Sequence, residues 1–116
     1  MSKPSPTSRT LELLRADGYS VQVVEKWLPW AKRRQDLFGC IDILAMKQGV
    51  LIGIQATSGV NHNARVVKST GEPLLRVWLT VAKFEVISWS KRGKRGEVKR
   101  WEPRREELFL EDLPAL

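Results

Sequence analysis

Apolar and polar positions along the chain fall into blocks of different period, and the period changes wherever glycine, proline or a basic run intervenes. Leu11, Leu13 and Leu14 follow Thr7 and Ser8, either of which can cap a helix, and the pattern stops at Asp17-Gly18. The segment YSVQVVEKW (19–27) alternates and is rich in valine, which predicts one strand ended by Leu28-Pro29. A basic loop, WAKRRQDLFG (30–39), leads on to CIDILAMK (40–47) and VLIGIQATS (50–58). These two runs predict an antiparallel hairpin turning at Gln48-Gly49, with glycine where a positive φ is wanted. The second arm is apolar on both faces, Leu51 and Gly53 on one and Ile52 and Ile54 on the other, as expected of a central strand covered on both sides.

Beyond Ser58-Gly59, Asn61 or Asn63 can start a helix through ARVVK, STGE breaks it, and Pro73 suits the first turn of another, PLLRVWLTVA. FEVISWS then reads as a strand, KRGKRG as a basic turn and EVKRWEPR as the strand that pairs back. The order is α-β-β-β-α-(α)-β-β, an α/β chain with a mixed sheet and helices on its faces. With 116 residues it is expected to form one domain, with a flexible N-terminus at 1–6 and an acidic, partly apolar tail at 106–116 that docks on the body or on a second subunit.

The hairpin carries polar residues where burial is expected. A Gln48-Gly49 turn sets Asp42 opposite Gln55, and alternation puts both on one face with Thr57. Opposed Cβ atoms lie about 5 Å apart, close enough for a carboxylate and an amide oxygen to share one small hard cation. A buried carboxylate needs an amide, a cation or water, and the pattern alone leaves the choice open. The helix after the second arm is expected to begin beside the same end of the sheet, where its free N–H groups favour an anion. Asp36 is another acid near that end, suited to a metal, to capping its loop or to pairing with Arg33 or Arg34.

Composition narrows the partner. Twenty Lys and Arg against 13 Asp and Glu give +7, and the acids gather in EELFLED. The cations cluster in KWLPWAKRR (26–34), with Lys32, Arg33 and Arg34, and in SKRGKRGEVKRWEPRR (90–105), with Lys91, Arg92, Lys94 and Arg95. Both stretches carry tryptophan, and cations with flat aromatics suit phosphates and bases. No apolar run approaches the roughly 20 residues that span a bilayer, and MSKPSPTSRT has no apolar stretch of the secretory kind, so the expectation is an intracellular, cytoplasmic protein. The lone Cys40 reads as a small buried residue in a reducing compartment.

The order α-β-β-β-α-β, an acid on the second strand of the hairpin's sheet and a polar pair spaced by one residue at the end of the next resemble the PD-(D/E)XK nuclease superfamily, a restriction-endonuclease-like αβββαβ core. The closest likeness is to small phage-type and archaeal-type Holliday-junction resolvases and VRR-NUC proteins, over residues 7 to 105. The resemblance implies that Asp42 is the metal-binding acid, that Gln55 stands at the (D/E) position with the Ala56 carbonyl as a further ligand, and that Thr57 stands in place of the lysine. Ile41 replaces the proline before the acid. It also implies a completing glutamate on the first helix, for which Glu12 is the candidate. Arg65 or Lys68 could reach back to replace the lysine's charge, and His62 could accept a proton.

The function so implied is Mg2+- or Mn2+-dependent hydrolysis of DNA phosphodiesters, on branched DNA and by a homodimer whose two-fold axis matches a four-way junction. The alternatives are a nuclease-fold DNA-binding protein that has lost turnover and a basic RNA-binding or assembly module.

Overall fold

The computed structural model describes residues 4–115, and the statements below concern those residues. Helix α1 (Pro6–Ala16) opens at Ser5, whose side chain accepts the N–H of Ser8 while Ser8 returns the bond, with Pro6 in the first turn. The cap therefore lies two residues before Thr7 and three before Ser8, the two expected caps. A proline that lacks an N–H is best placed where none is needed. Of the N-terminal segment expected to be flexible, residues 1–3 lie outside the described residues.

The stretch read as a single strand divides in two. Strand β1 (Ser20–Val23) ends where Val23-Val24 breaks the alternation, and β2 (Lys26–Leu28) pairs with β3 (Arg33–Gln35) in a separate two-stranded ribbon. The basic segment 30–39 is therefore the end of a hairpin, not a loop throughout. Strand β4 (Ile43–Lys47) and β5 (Val50–Ser58) form the expected hairpin, with Gly49 at φ 77 in the turn.

Helix α2 (His62–Thr70) follows a short turn, and α3 (Pro73–Trp78) carries the chain to β6 (Lys83–Arg92) and β7 (Arg100–Leu108). The five-stranded sheet has the order β1-β4-β5-β6-β7, antiparallel except for β5 and β6, which run parallel across the α2–α3 crossover. The fold is thus α/β with a mixed sheet, and α1, β1, β4, β5, α2 and β6 appear in αβββαβ order.

Alternation along the strands divides the core in two. On the α1 face, Leu14 packs on Ile43, Ala45, Ile52, Ile54, Ile87 and Trp89. Trp89 donates its Nε1–H to Thr10 of α1, 2.9 Å away, so the ring is buried without stranding its polar atom. The opposite face holds Cys40, Ile41, Phe84, Val86 and Leu108 under Leu75 of α3, with Leu113 closing the edge. Residues 106–108 therefore belong to β7, and the tail packs on its own domain through Leu108 and Leu113.

Gly53 shows how closely that second layer sits. A Cβ there would come within 2.7 Å of Ile41 Cδ1 and 3.1 Å of Trp78, distances no packed side chain tolerates without movement. Among the described residues no helix is long and apolar enough to cross a membrane.

Candidate metal centre

Asp42 sits one residue before β4, 4% exposed, at the point where that strand leaves the ladder. Its main chain still donates to the Ile54 carbonyl at 2.9 Å, while its carboxylate turns into β5. Gln55 Nε2 donates to Oδ2 at 2.7 Å, and the Ala56 N–H donates to both oxygens at 3.1 and 3.2 Å. The expected opposition of Asp42 and Gln55 is therefore present, and Thr57, also buried, lies on the same face of β5. Ala56 meets Asp42 through its N–H.

Two more acids converge on Asp42. Carboxylate oxygens of Glu25, Asp36 and Asp42 lie within 4.8 Å of one another. Glu25 and Asp36 each stand one residue outside the Lys26↔Gln35 pair, so the ribbon that interrupts β1 and β4 delivers both from its root. Two cations already answer them: Arg34 Nε is 3.3 Å from Glu25 and Lys68 Nζ 3.5 Å from Asp36.

Burial pushes the Asp42 carboxyl up to about 7, and the Asp36 and Glu25 charges add to the rise against the Ala56 and Gln55 hydrogen bonds. Such an assembly of hard oxygen donors fits Mg2+ or Mn2+. An independent sign is Gln55 Oε1, which is buried and among the described residues has no hydrogen-bond partner, a condition that costs about 1–3 kcal/mol. Turned through half a revolution, the amide would place this oxygen where Nε2 now meets Asp42. A cation shared with Asp42 would then replace that N–H bond, with Nε2 moved to the position Oε1 now holds.

Other expected residues are placed differently. Glu12 is exposed on α1, across the sheet from Asp42, beside a groove formed with Arg9, Leu13, Trp89 and Trp101. Alternation decides this: α1 covers the face of Ile43 and Ile54, and Asp42 and Gln55 point to the other. The third carboxylate is Glu25 instead. Its signal in the sequence was the break of alternation at Val23-Val24, which makes the strand end before the acid. Asp36 pairs with Lys68 rather than with Arg33 or Arg34.

His62 is sealed, 1% exposed, with Nδ1 2.6 Å from Ser88 Oγ and Nε2 2.9 Å from Glu106. It pins the start of α2 to β6 and β7 and is not open to a substrate proton. The N-terminus of α2 thus stands over Ser88, and it is the last turn of α2, through Lys68, that reaches the acids. Replacement of His62 by alanine is expected to cost about 2–4 kcal/mol in denaturant unfolding, because a buried ring is lost and Ser88 and the part-exposed Glu106 lose a shared partner. Arg65 is half-buried on the same helix.

The remaining cations are surface groups. Lys32, Arg33 and Arg34 are exposed on the β2–β3 ribbon, and Lys91, Arg92, Lys94 and Arg95 on the β6–β7 hairpin. Gln55→Glu is expected to tighten Mn2+ binding at least severalfold, read by calorimetry on DNA-free protein, since it exchanges a neutral ligand for a charged one. Unchanged or weaker binding would show that Gln55 does not face the cation.

No protein-family model matches the chain, and neither a curated protein nor a solved structure does.

Proposed function

We propose that the protein is a divalent-cation-dependent DNA endonuclease built on a PD-(D/E)XK-like core. The observation that carries the reading is the convergence of Glu25, Asp36 and Asp42 beside the orphaned Gln55 oxygen, on a chain whose net charge is +7. Asp42, Gln55 and the two flanking acids would hold Mg2+ or Mn2+, which when bound supplies Lewis-acid polarisation of the phosphate and lowers the pKa of water.

The chain's own residues account for the rest. Lys68, tethered by Asp36 at the edge of the cluster, supplies near the reacting phosphate the positive charge that Thr57 lacks. The ribbon and the β6–β7 hairpin hold the flanking phosphates, so affinity falls steeply with salt. A branched substrate and a dimer belong to the same proposal, since a two-fold protein makes symmetric cuts across a four-way junction.

A labelled four-way junction and a matched duplex, incubated with protein and Mg2+, Mn2+ or EDTA, test it: cuts are expected with either cation and none in EDTA. One observation favours a second reading, a DNA-binding protein without turnover. Gln55 already satisfies Asp42 with an N–H, as a site relieved of its metal would. Salt-sensitive binding with no cuts under any divalent cation would select it.

A further inference from the structure

We propose that the β2–β3 ribbon is a base-stacking arm: Trp30 packs on an unpaired or unstacked base while the cations around it hold adjacent phosphates, directing the acidic centre to DNA at a branch or strand discontinuity. The inference rests on the nuclease reading above and names the substrate feature that site would select.

Residues 26–35, KWLPWAKRRQ, contain four cations and no acid. Leu28 anchors the ribbon by its burial, whereas Trp27 is 53% and Trp30 81% exposed. An indole left in water forgoes a large apolar burial, and the other three tryptophans, Trp101 at 43% exposure among them, each engage a partner. Trp89 donates to Thr10, Trp78 donates to the Lys83 carbonyl, and Trp101 lies under Arg9 at 4.1 Å. Among the described residues Trp30 has no such partner.

The ladder ends at Leu28↔Arg33, so Trp30 stands at the closed end of the ribbon, and Lys32 there holds φ 49, a left-handed conformation unusual outside glycine. An exposed flat ring with the exposed Lys32 and Arg33 two and three residues on is complementary to an exposed base between two phosphates, where stacking is worth about 1–3 kcal/mol.

The arm's other end fixes what it would do. Its strands arise from Glu25 and Asp36, two of the three clustered acids, and Arg34 in β3 touches Glu25. At about 3.3 Å per residue, Trp30 can stand no more than about 17 Å from Glu25 along the strand. That distance spans about five nucleotides at 3.4 Å each. A base captured by Trp30 therefore sets the reacting phosphate within a few nucleotides of the discontinuity.

The test uses fluorescence anisotropy in EDTA at fixed salt, with a labelled four-way junction, a length-matched duplex and an all-RNA copy of the junction. The wild type should prefer the DNA junction to the duplex. Trp30→Ala should weaken junction binding about tenfold with duplex binding within about twofold, and Trp30→Phe should retain most of the preference. Equal losses on both DNAs, no loss on either, or tighter binding to the RNA junction would overturn the arm.

Cleavage plays no part in this readout, so the two readings separate. A wild type that binds through Trp30 but never cuts defeats the nuclease reading while supporting the arm. One that cuts, with its junction preference intact in Trp30→Ala, defeats the arm alone.

Discussion

Asp42→Ala is expected to reduce cation-dependent strand cleavage to background while leaving duplex affinity within about twofold of wild type. The two effects are expected to separate because Asp42 lies one residue before β4, outside the ribbon and the β6–β7 hairpin that carry the exposed cations. Asp42 is buried beside β5, and the exposed Lys and Arg residues of the ribbon and the β6–β7 hairpin are expected to supply most of the affinity. Time courses on a labelled junction with Mn2+, beside anisotropy in EDTA, measure both.

The isosteric variant adds a stability readout. In the absence of cation at about pH 8, Asp42→Asn removes a buried charge faced by two other acids, and the thermal midpoint should rise by a few degrees. A pronounced fall would mean that Asp42 acts chiefly as a hydrogen-bond acceptor for Gln55 and Ala56.

Raising the pH is expected to tighten divalent-cation binding about tenfold per unit until about pH 7, with a plateau above and release of about one proton per cation below. The cause is the Asp42 carboxyl, which burial first, then Asp36 and Glu25, raise from 3.8 to about 7. Only the carboxylate is a good ligand, so below that value a proton competes with the metal.

The sign for stability is opposite to that of an ordinary salt-bridged acid. Between 3.8 and about 7 the folded chain holds a proton that the unfolded chain has released. This group's contribution is complete below pH about 4 and is lost as pH rises through 7, so cation should protect the fold most at the alkaline end. Thermal midpoints with and without Mn2+ at about pH 6 and 8 measure the effect. Equal protection at both would contradict the assignment of Asp42 as the titrating ligand.

Much of the architecture was legible because β-strand period and turn chemistry agree. Gln48-Gly49 determined the register that sets Asp42 against Gln55, and the two-faced apolar run 51–54 identified the central strand. The helices were legible from Pro73 and the Asn61 region. What was not legible depended on where alternation breaks. Val23 and Val24 are both apolar, so a single strand appeared to run into the basic segment, and the ribbon with Glu25 and Asp36 at its root was missed.

The same limit explains Glu12. Helical spacing reports which residues share a face of α1, but not which face of the sheet α1 covers, and that choice separates Glu12 from Asp42. His62 is a third instance: its position at the start of α2 was readable, while its seal between Ser88 and Glu106 depends on β7 lying beside β6, a contact 44 residues away in the chain.

The most direct measurement is a calorimetric titration of Mn2+ into DNA-free wild type and Asp42→Asn at about pH 8. Saturable binding to the wild type that is lost in the variant is the expected result. Binding of equal strength in both, or none in the wild type, would contradict the claim that these acids form a cation centre.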